Sequence, residues 1–221
     1  MLTFNLGFAE VVEFSNYETR TTLNEDHLGI QRVLTLQNVG SNPIIPGELH
    51  FKTHELEGDK KVPSNINNFE ATNDYDMEME TQKVKEDKVT DLVVSIWEPI
   101  LPKFSYKIYM NYDIEFEPKG ILFYELRVPN EETTIPIKES KNEIMLPENY
   151  HVTYAPDAEV TKREIEGETV NVVSWSGKNP VAIEYSVVPL PRIGIKAVNV
   201  FWGVIIIITL VFSYLFHKRL R

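Results

Sequence analysis

The chain has 221 residues, 43% of them hydrophobic, no cysteine, and a formal net charge of -11. The missing cysteine excludes disulfides, thiolate metal sites and cysteine nucleophiles. With all 33 acids and 18 of the 22 basic residues, residues 1–195 carry -15. So acidic a body disfavours nucleic acid and anionic headgroups as its partners, because both are polyanions.

In chain order the body reads as strands. Phe8–Phe14 and Tyr17–Leu23 flank Ser15-Asn16, the pattern of a short hairpin. Leu28–Leu36 places Ile30, Arg32, Leu34 and Leu36 on one face, with a turn cluster at 38–43 behind it. Gly47–Thr53 resumes the strand pattern, and 57–73 is polar enough to be expected as a surface loop. Asp74–Glu80 alternates acids with Tyr75, Met77 and Met79, which predicts a half-buried strand with an acidic outer face. Asp91–Trp97 follows. Phe104–Phe116 then carries seven apolar residues at strict spacing of two.

Glu117-Pro118-Lys119-Gly120 interrupts this pattern. Further strands are expected at 121–128, 134–138, 143–146, 150–154, 160–165, 169–175 and 181–188, with Glu166-Gly167-Glu168 as a hairpin tip. Strands at this spacing without helical periodicity indicate antiparallel sandwiches. The expected fold is therefore mainly β: two antiparallel, immunoglobulin-like β-sandwich modules, residues 1–118 and a smaller 119–188. A proline-containing link (189–196), a transmembrane helix (197–216) and a basic tail (217–221) complete the chain. Pro189-Leu190-Pro191 makes the link stiff. The second module is then held close to the headgroups, its outermost strand running almost directly into the helix.

Ala197–Phe216 holds 20 uncharged residues, mostly apolar. At about 1.5 Å per residue they reach about 30 Å, the thickness of a hydrocarbon core. Trp202 and Tyr214 lie toward the two ends, where amphipathic rings favour the interface. Ala197, Trp202, Gly203, Tyr214 and Phe216 are the anchor positions singled out. Lys218, Arg219 and Arg221 crowd the tail, and the positive-inside rule then places the tail in the cytoplasm and the body outside the cell membrane. Residues 1–14 show neither a basic n-region nor a long apolar h-region, which leaves open a removed signal or a tail-anchored, cytosol-facing body. Thr209 and Ser213 have the small-xxx-small spacing that lets helices approach, but the favoured expectation is that they face lipid and bond their own backbone.

The run NEDHLGIQRVLTLQNVGSNPIIPGEL (24–49) resembles the strand, N-x-G, strand pattern of archaeal membrane-anchored immunoglobulin-like ectodomains. IMLPENYHVTYAP, VVSWSG and AIEYSVV, followed by a single C-terminal helix, are similar in arrangement to the end of ribophorin-like membrane proteins. The resemblance implies sandwich ectodomains beside a membrane complex. It brings no catalytic residue onto this chain.

No G-x-S-x-G, H-E-x-x-H, P-loop or G-x-G-x-x-G motif occurs. His50 and His54 would lie about 13 Å apart on one face of a strand, too far to share a metal, and read as an exposed face. The carboxylates of 74–80 would stand about 6.6–7 Å apart, too wide for a calcium cage without loop oxygens. Trp97 and Trp175 are expected in the core, and Lys83–Lys88 in a solvated loop. No catalytic, cofactor or metal site is expected. The expected function is a non-enzymatic single-pass membrane protein that binds or positions a protein partner, as accessory subunit of a membrane or envelope complex. The other readings are an envelope hydrolase or carbohydrate-active subunit with a carboxylate site, and a cytosol-facing adaptor.

Overall fold

The computed structural model describes residues 11–219, except 26, 119, 166, 178–181 and 193. Among them are fifteen strands: β1 (Val12–Leu23), β2 (His27–Asn38), β3 (Gly47–Glu57), β4 (Lys60–Pro63), β5 (Ile66–Asn73), β6 (Thr81–Lys85), β7 (Thr90–Ile96), β8 (Ser105–Glu115), β9 (Phe123–Leu126), β10 (Asn130–Glu132), β11 (Ser140–Pro147), β12 (His151–Tyr154), β13 (Glu159–Ile165), β14 (Glu168–Ser176) and β15 (Ile183–Ser186). One helix, α1 (Ala197–Arg219), follows. Among the described residues the protein is mainly β with one C-terminal apolar helix.

The chain forms two compact units. Unit 1 is Met1–Glu117, Val128–Met145 and Ser174–Pro180; unit 2 is Pro118–Arg127, Leu146–Val173 and Val181–Arg221. Sequence patterning places one boundary near Glu117–Gly120. The chain enters unit 2 at Pro118 but returns twice to unit 1, so neither unit is one continuous stretch of sequence.

In unit 1 one sheet has the order β11-β1-β2-β8-β5, and a second runs β10-β3-β7-β6 with β4 on β3. Alternation along β8 buries Ile108, Met110, Tyr112 and Ile114. β7 is buried at six of its seven positions, as a strand covered on both faces must be. Phe14 of β1 reaches Phe51 of β3 at a ring separation of 6.0 Å and meets Tyr17 edge-on at 5.6 Å, so the two sheets share one core.

Several expectations are corrected here. Ser15-Asn16 is no hairpin: β1 runs through it, absorbing the irregularity as a bulge between Phe14 and Asn16 opposite β2. Residues 8–10 lie outside the described part. The expected loop at 57–73 carries β4 and β5, whose pairing with β3 and β8 outweighs the polar composition. Residues 74–80 are not a strand. Asn73 Oδ1 accepts the N–H groups of Tyr75 (2.9 Å) and Met77 (3.1 Å), curling the chain into a turn in which Tyr75 is 81% exposed. Lys83 and Lys85 belong to β6 rather than a loop. Residues 134–138 form no strand; β10 stands earlier instead. Nor is the β-structure wholly antiparallel: β1 and β11 pair in parallel, Tyr17 beside Ser140 through Thr22 beside Met145.

In unit 2 a three-stranded sheet has the order β12-β15-β9, and β13 neighbours β14. β15 is thus the central strand rather than the outermost one. All four of its residues are buried. Tyr185 on it stacks on Tyr124 (5.4 Å) and takes the edge of Tyr150 (5.1 Å). Burial, and then its two tyrosine neighbours, push the Tyr185 hydroxyl well above the ordinary phenol range.

Candidate functional site: the strand to helix junction and an apolar end

The junction between sheet and helix is built around Glu184, which is 3% exposed in the middle of β15. Its Oε1 accepts the backbone N–H of Ala197 at 2.7 Å and the hydroxyl of Thr153 at 2.6 Å; its Oε2 accepts the N–H of Val198 at 3.3 Å. The first N–H groups of any helix lack intrahelical partners and sit at the positive end of its dipole. α1 has no acid in its first turn. The carboxylate that caps it comes instead from a strand earlier in the chain, within the same unit.

Two more contacts hold the junction. Lys196 Nζ lies 3.2 Å from Glu125 Oε1 on β9, and Arg127 Nη2 lies 3.0 Å from the same oxygen. Burial acts to raise the Glu125 carboxyl, but the hydrogen bond and charge of Lys196, aided by Arg127, outweigh it and hold the group below the usual carboxylate range. One turn into the helix, Phe201 packs on Phe123 of β9 with ring centroids 5.9 Å apart.

A second feature lies at one end of unit 1. Asn38, fully buried, ends β2 and gathers three segments: its Nδ2 donates to the carbonyls of Ile100 and Asn42, both at 2.8 Å, and its Oδ1 accepts the N–H of Gly40 at 2.9 Å. Ile44 and Ile100 bridge antiparallel, and Val39 N–H bonds Val11 O at 3.0 Å. This scaffold presents Val39, Ile45, Leu101, Trp97 (61% exposed) and Phe104 (64%) to solvent. Single exposed apolar residues are ordinary; here five of them belong to the segments that meet around Asn38. Trp175 is buried, whereas Trp97 departs from the expected core position: it follows the last residue of β7, beyond the covered part of the strand.

Deep in unit 1, Arg32 of β2 forms a buried ion pair with Glu131, which also accepts the Tyr17 hydroxyl. The guanidinium lies 5.2 Å from the Tyr112 ring centre and 5.9 Å from that of Tyr17. Burial lowers the Arg32 pKa and raises that of Tyr112. The group fastens β10 to the other sheet and lines a void of about 30 Å³, too small for an organic substrate.

His50 and His54 both lie on β3, but they do not form the exposed face expected of them. His50 Nδ1 lies 2.8 Å from Asp91, while His54 is only 3% exposed, under the β4 and β10 pairing partners of β3. Among the described residues no three histidine or carboxylate side chains converge in a metal-binding group.

Of the anchor positions, Ala197 is buried and bonded to Glu184, whereas Trp202, Tyr214 and Phe216 are exposed and Gly203 partly so. α1 is long and apolar enough to span a membrane, and none of its most apolar 18-residue stretch is buried in the protein. Lys218 and Arg219 fall in its last turn; Arg221 lies outside the described residues. Thr209 donates its hydroxyl to the Ile205 carbonyl at 2.8 Å, bonding its own helix.

No family model matches the chain. An uncharacterized protein of Methanocaldococcus jannaschii is 25% identical over 136 residues, 60% of this chain and 92% of that relative. In fold the chain is similar to an M1 zinc metallopeptidase from Deinococcus radiodurans (TM-score 0.51, 11% identity, 80% of this chain and 43% of that one). It is similar also to a candidate nutrient binding protein from Legionella pneumophila (TM-score 0.51, 8% identity, 80% and 67%). The chain spans less than half the length of the Deinococcus peptidase. At these identities the likeness is one of fold alone.

Proposed function

We propose that this is a non-enzymatic single-pass membrane protein whose β body binds a protein partner as accessory subunit of a membrane or envelope complex. The body stands outside the cell membrane, with Lys218, Arg219 and Arg221 on the cytoplasmic side. In this reading the strands form immunoglobulin-like sandwich modules of the ribophorin-like kind, and the helix holds them near their partner, raising the local concentration of the binding surface. The observation that carries the reading is the apolar end of unit 1, where Trp97 and Phe104 stand in solvent on a scaffold fixed by Asn38. Large aromatic side chains are those on which interface binding energy concentrates.

The test is recovery of the tagged full-length chain from gently solubilised membranes, followed by mass spectrometry. A reproducible companion protein is expected with the native chain, reduced when Trp97→Asp and Phe104→Asp are combined. Recovery of the chain alone, or unchanged recovery with the double variant, overturns the reading.

A further inference from the structure

The helix does not leave unit 2 as a free stalk. Its first two N–H groups are bonded to a buried side chain of the sheet, and Phe201, four residues in, rests on Phe123 of β9. Four residues of helix are about 6 Å of rise. If the apolar span begins at Ala197, Phe201 already lies within the interfacial layer, and the residue packed against it lies at the same depth.

What surrounds Phe123 is apolar and uncovered. β9 and β15 pair through Ser186 opposite Phe123. Beyond that pair the chain continues into Val187-Val188 on one side and back into Leu122-Ile121 on the other. All four are exposed, Ile121 at 88%. Ile195, just before the helix, is exposed as well. The charge pattern agrees: residues 185–216 contain no acid in a chain that has 33. The acids of unit 2 other than Glu125 and Glu184 all fall between 148 and 168 in the sequence; Arg127 and Lys196 stand at the helix end, where both meet Glu125, while Arg192 lines a recess with Asp157.

We infer that this end of unit 2 is a lipid-binding surface: Ile121, Leu122, Val187, Val188 and Ile195 sit in the headgroup layer around the emerging helix, with Arg127 and Lys196 beside the phosphates. The occupant is the bilayer itself. Apolar side chains flanked by basic ones suit that layer, and the Phe123–Phe201 contact makes the surface continuous with the membrane-spanning segment. The consequence is a β-domain seated in the interface at a fixed depth and tilt. The inference rests on the reading of α1 as a membrane span.

Because the chain has no cysteine, single labelling sites need no background removal. Full-length Ile121→Cys, Val188→Cys, Ile208→Cys and Tyr75→Cys variants are each labelled with an environment-sensitive fluorophore. They are reconstituted in phosphatidylcholine vesicles, with quenchers placed near the headgroup or deep in the acyl chains. Labels at 121 and 188 are expected to shift to the blue and to be quenched by the shallow probe. The label at 208 should be quenched by the deep probe, and the label at 75, in unit 1, by neither. Emission at 121 and 188 matching that at 75, with 208 still quenched, overturns the inference and leaves the membrane span standing. A blue shift at 121 without lipid quenching also overturns it, since the cover is then protein. Loss of quenching at 208 removes the membrane span, and the inference with it.

Discussion

Glu184 and Ala197 are joined by a 2.7 Å hydrogen bond from the helix's first N–H to a buried carboxylate oxygen of the central strand. The bond makes the start of the helix part of the sheet's polar core. Whatever turns the helix turns β15 with it.

Glu184→Ala removes the cap and leaves the Thr153 hydroxyl and two helix N–H groups without their acceptor. Loss of a cap costs about 1 kcal/mol, and a buried group left unsatisfied about 1–3 kcal/mol more. Unit 2 should unfold at lower temperature, with faster amide exchange at Ala197 and Val198. Protection equal to the native protein at those two amides would refute the capping role. Glu184→Gln, which retains a single acceptor oxygen, should fall between the two.

Breaking the Arg32–Glu131 pair from one side should be far worse than removing both partners. Glu131→Leu alone strands a buried guanidinium, at about 3–5 kcal/mol, while Arg32→Met with Glu131→Leu is expected near neutral or better. Denaturant unfolding of the two variants measures the difference. Equal destabilisation by both would show that the pair's charge is not the controlling element.

Acid should loosen the helix junction. The folded state holds the Glu125 carboxyl below its ordinary value, so its stabilising effect is complete above the ordinary carboxylate range and fades as pH falls through the lowered folded value. Protonated Glu125 no longer attracts Lys196 and Arg127. Exchange at the helix start should therefore quicken on strong acidification, and Glu125→Gln should show that behaviour already at neutral pH. A wild-type profile in the Gln variant would exclude Glu125 as the source.

His54 predicts a second pH response in unit 1. Burial, with Lys61 nearby, lowers its pKa, although Glu132 opposes this. The folded state therefore takes up a proton later than the unfolded chain. Stability is full above the ordinary imidazole value of about 6.5 and declines below it. Melting temperature should drop between neutral and mildly acidic pH, and His54→Gln should flatten that slope. A slope unchanged in the variant would assign the response to other groups.

Asn38→Ala should disturb the apolar end of unit 1 without touching its surface. Three hydrogen bonds made by one buried amide are lost, and typical net values of about 1 kcal/mol each suggest a clear drop in stability. Partner recovery should fall alongside Trp97 exposure to a collisional quencher. Unaltered quenching would mean the loops hold their shape by other contacts.

Strict alternation made β8 legible, and twenty uncharged, mostly apolar residues made α1 legible, because each pattern has one physical solution. Residues 74–80 show the limit. Their alternation is as regular as that of β8, yet Asn73 binds two N–H groups and turns the chain back on β5, where Glu78 makes only an isolated bridge to Thr72. The parallel β1–β11 pairing is a long-range choice that leaves no local trace. Glu184 did leave one, an acid alone within the apolar run Val181–Val188, but the donors that satisfy it come from Thr153 and the helix start, which only the folded chain brings together.

The β1–β11 register also sets a timetable. Tyr17 finds Ser140 on the order of a hundred residues downstream, and unit 1 is closed only by residues 174–180. During synthesis the outer edge of β1 stays open until most of the polypeptide has been made, a template for wrong strands in the meantime. Chaperone protection of the nascent chain matters most in that interval, and truncations ending before Ser140 should aggregate rather than fold.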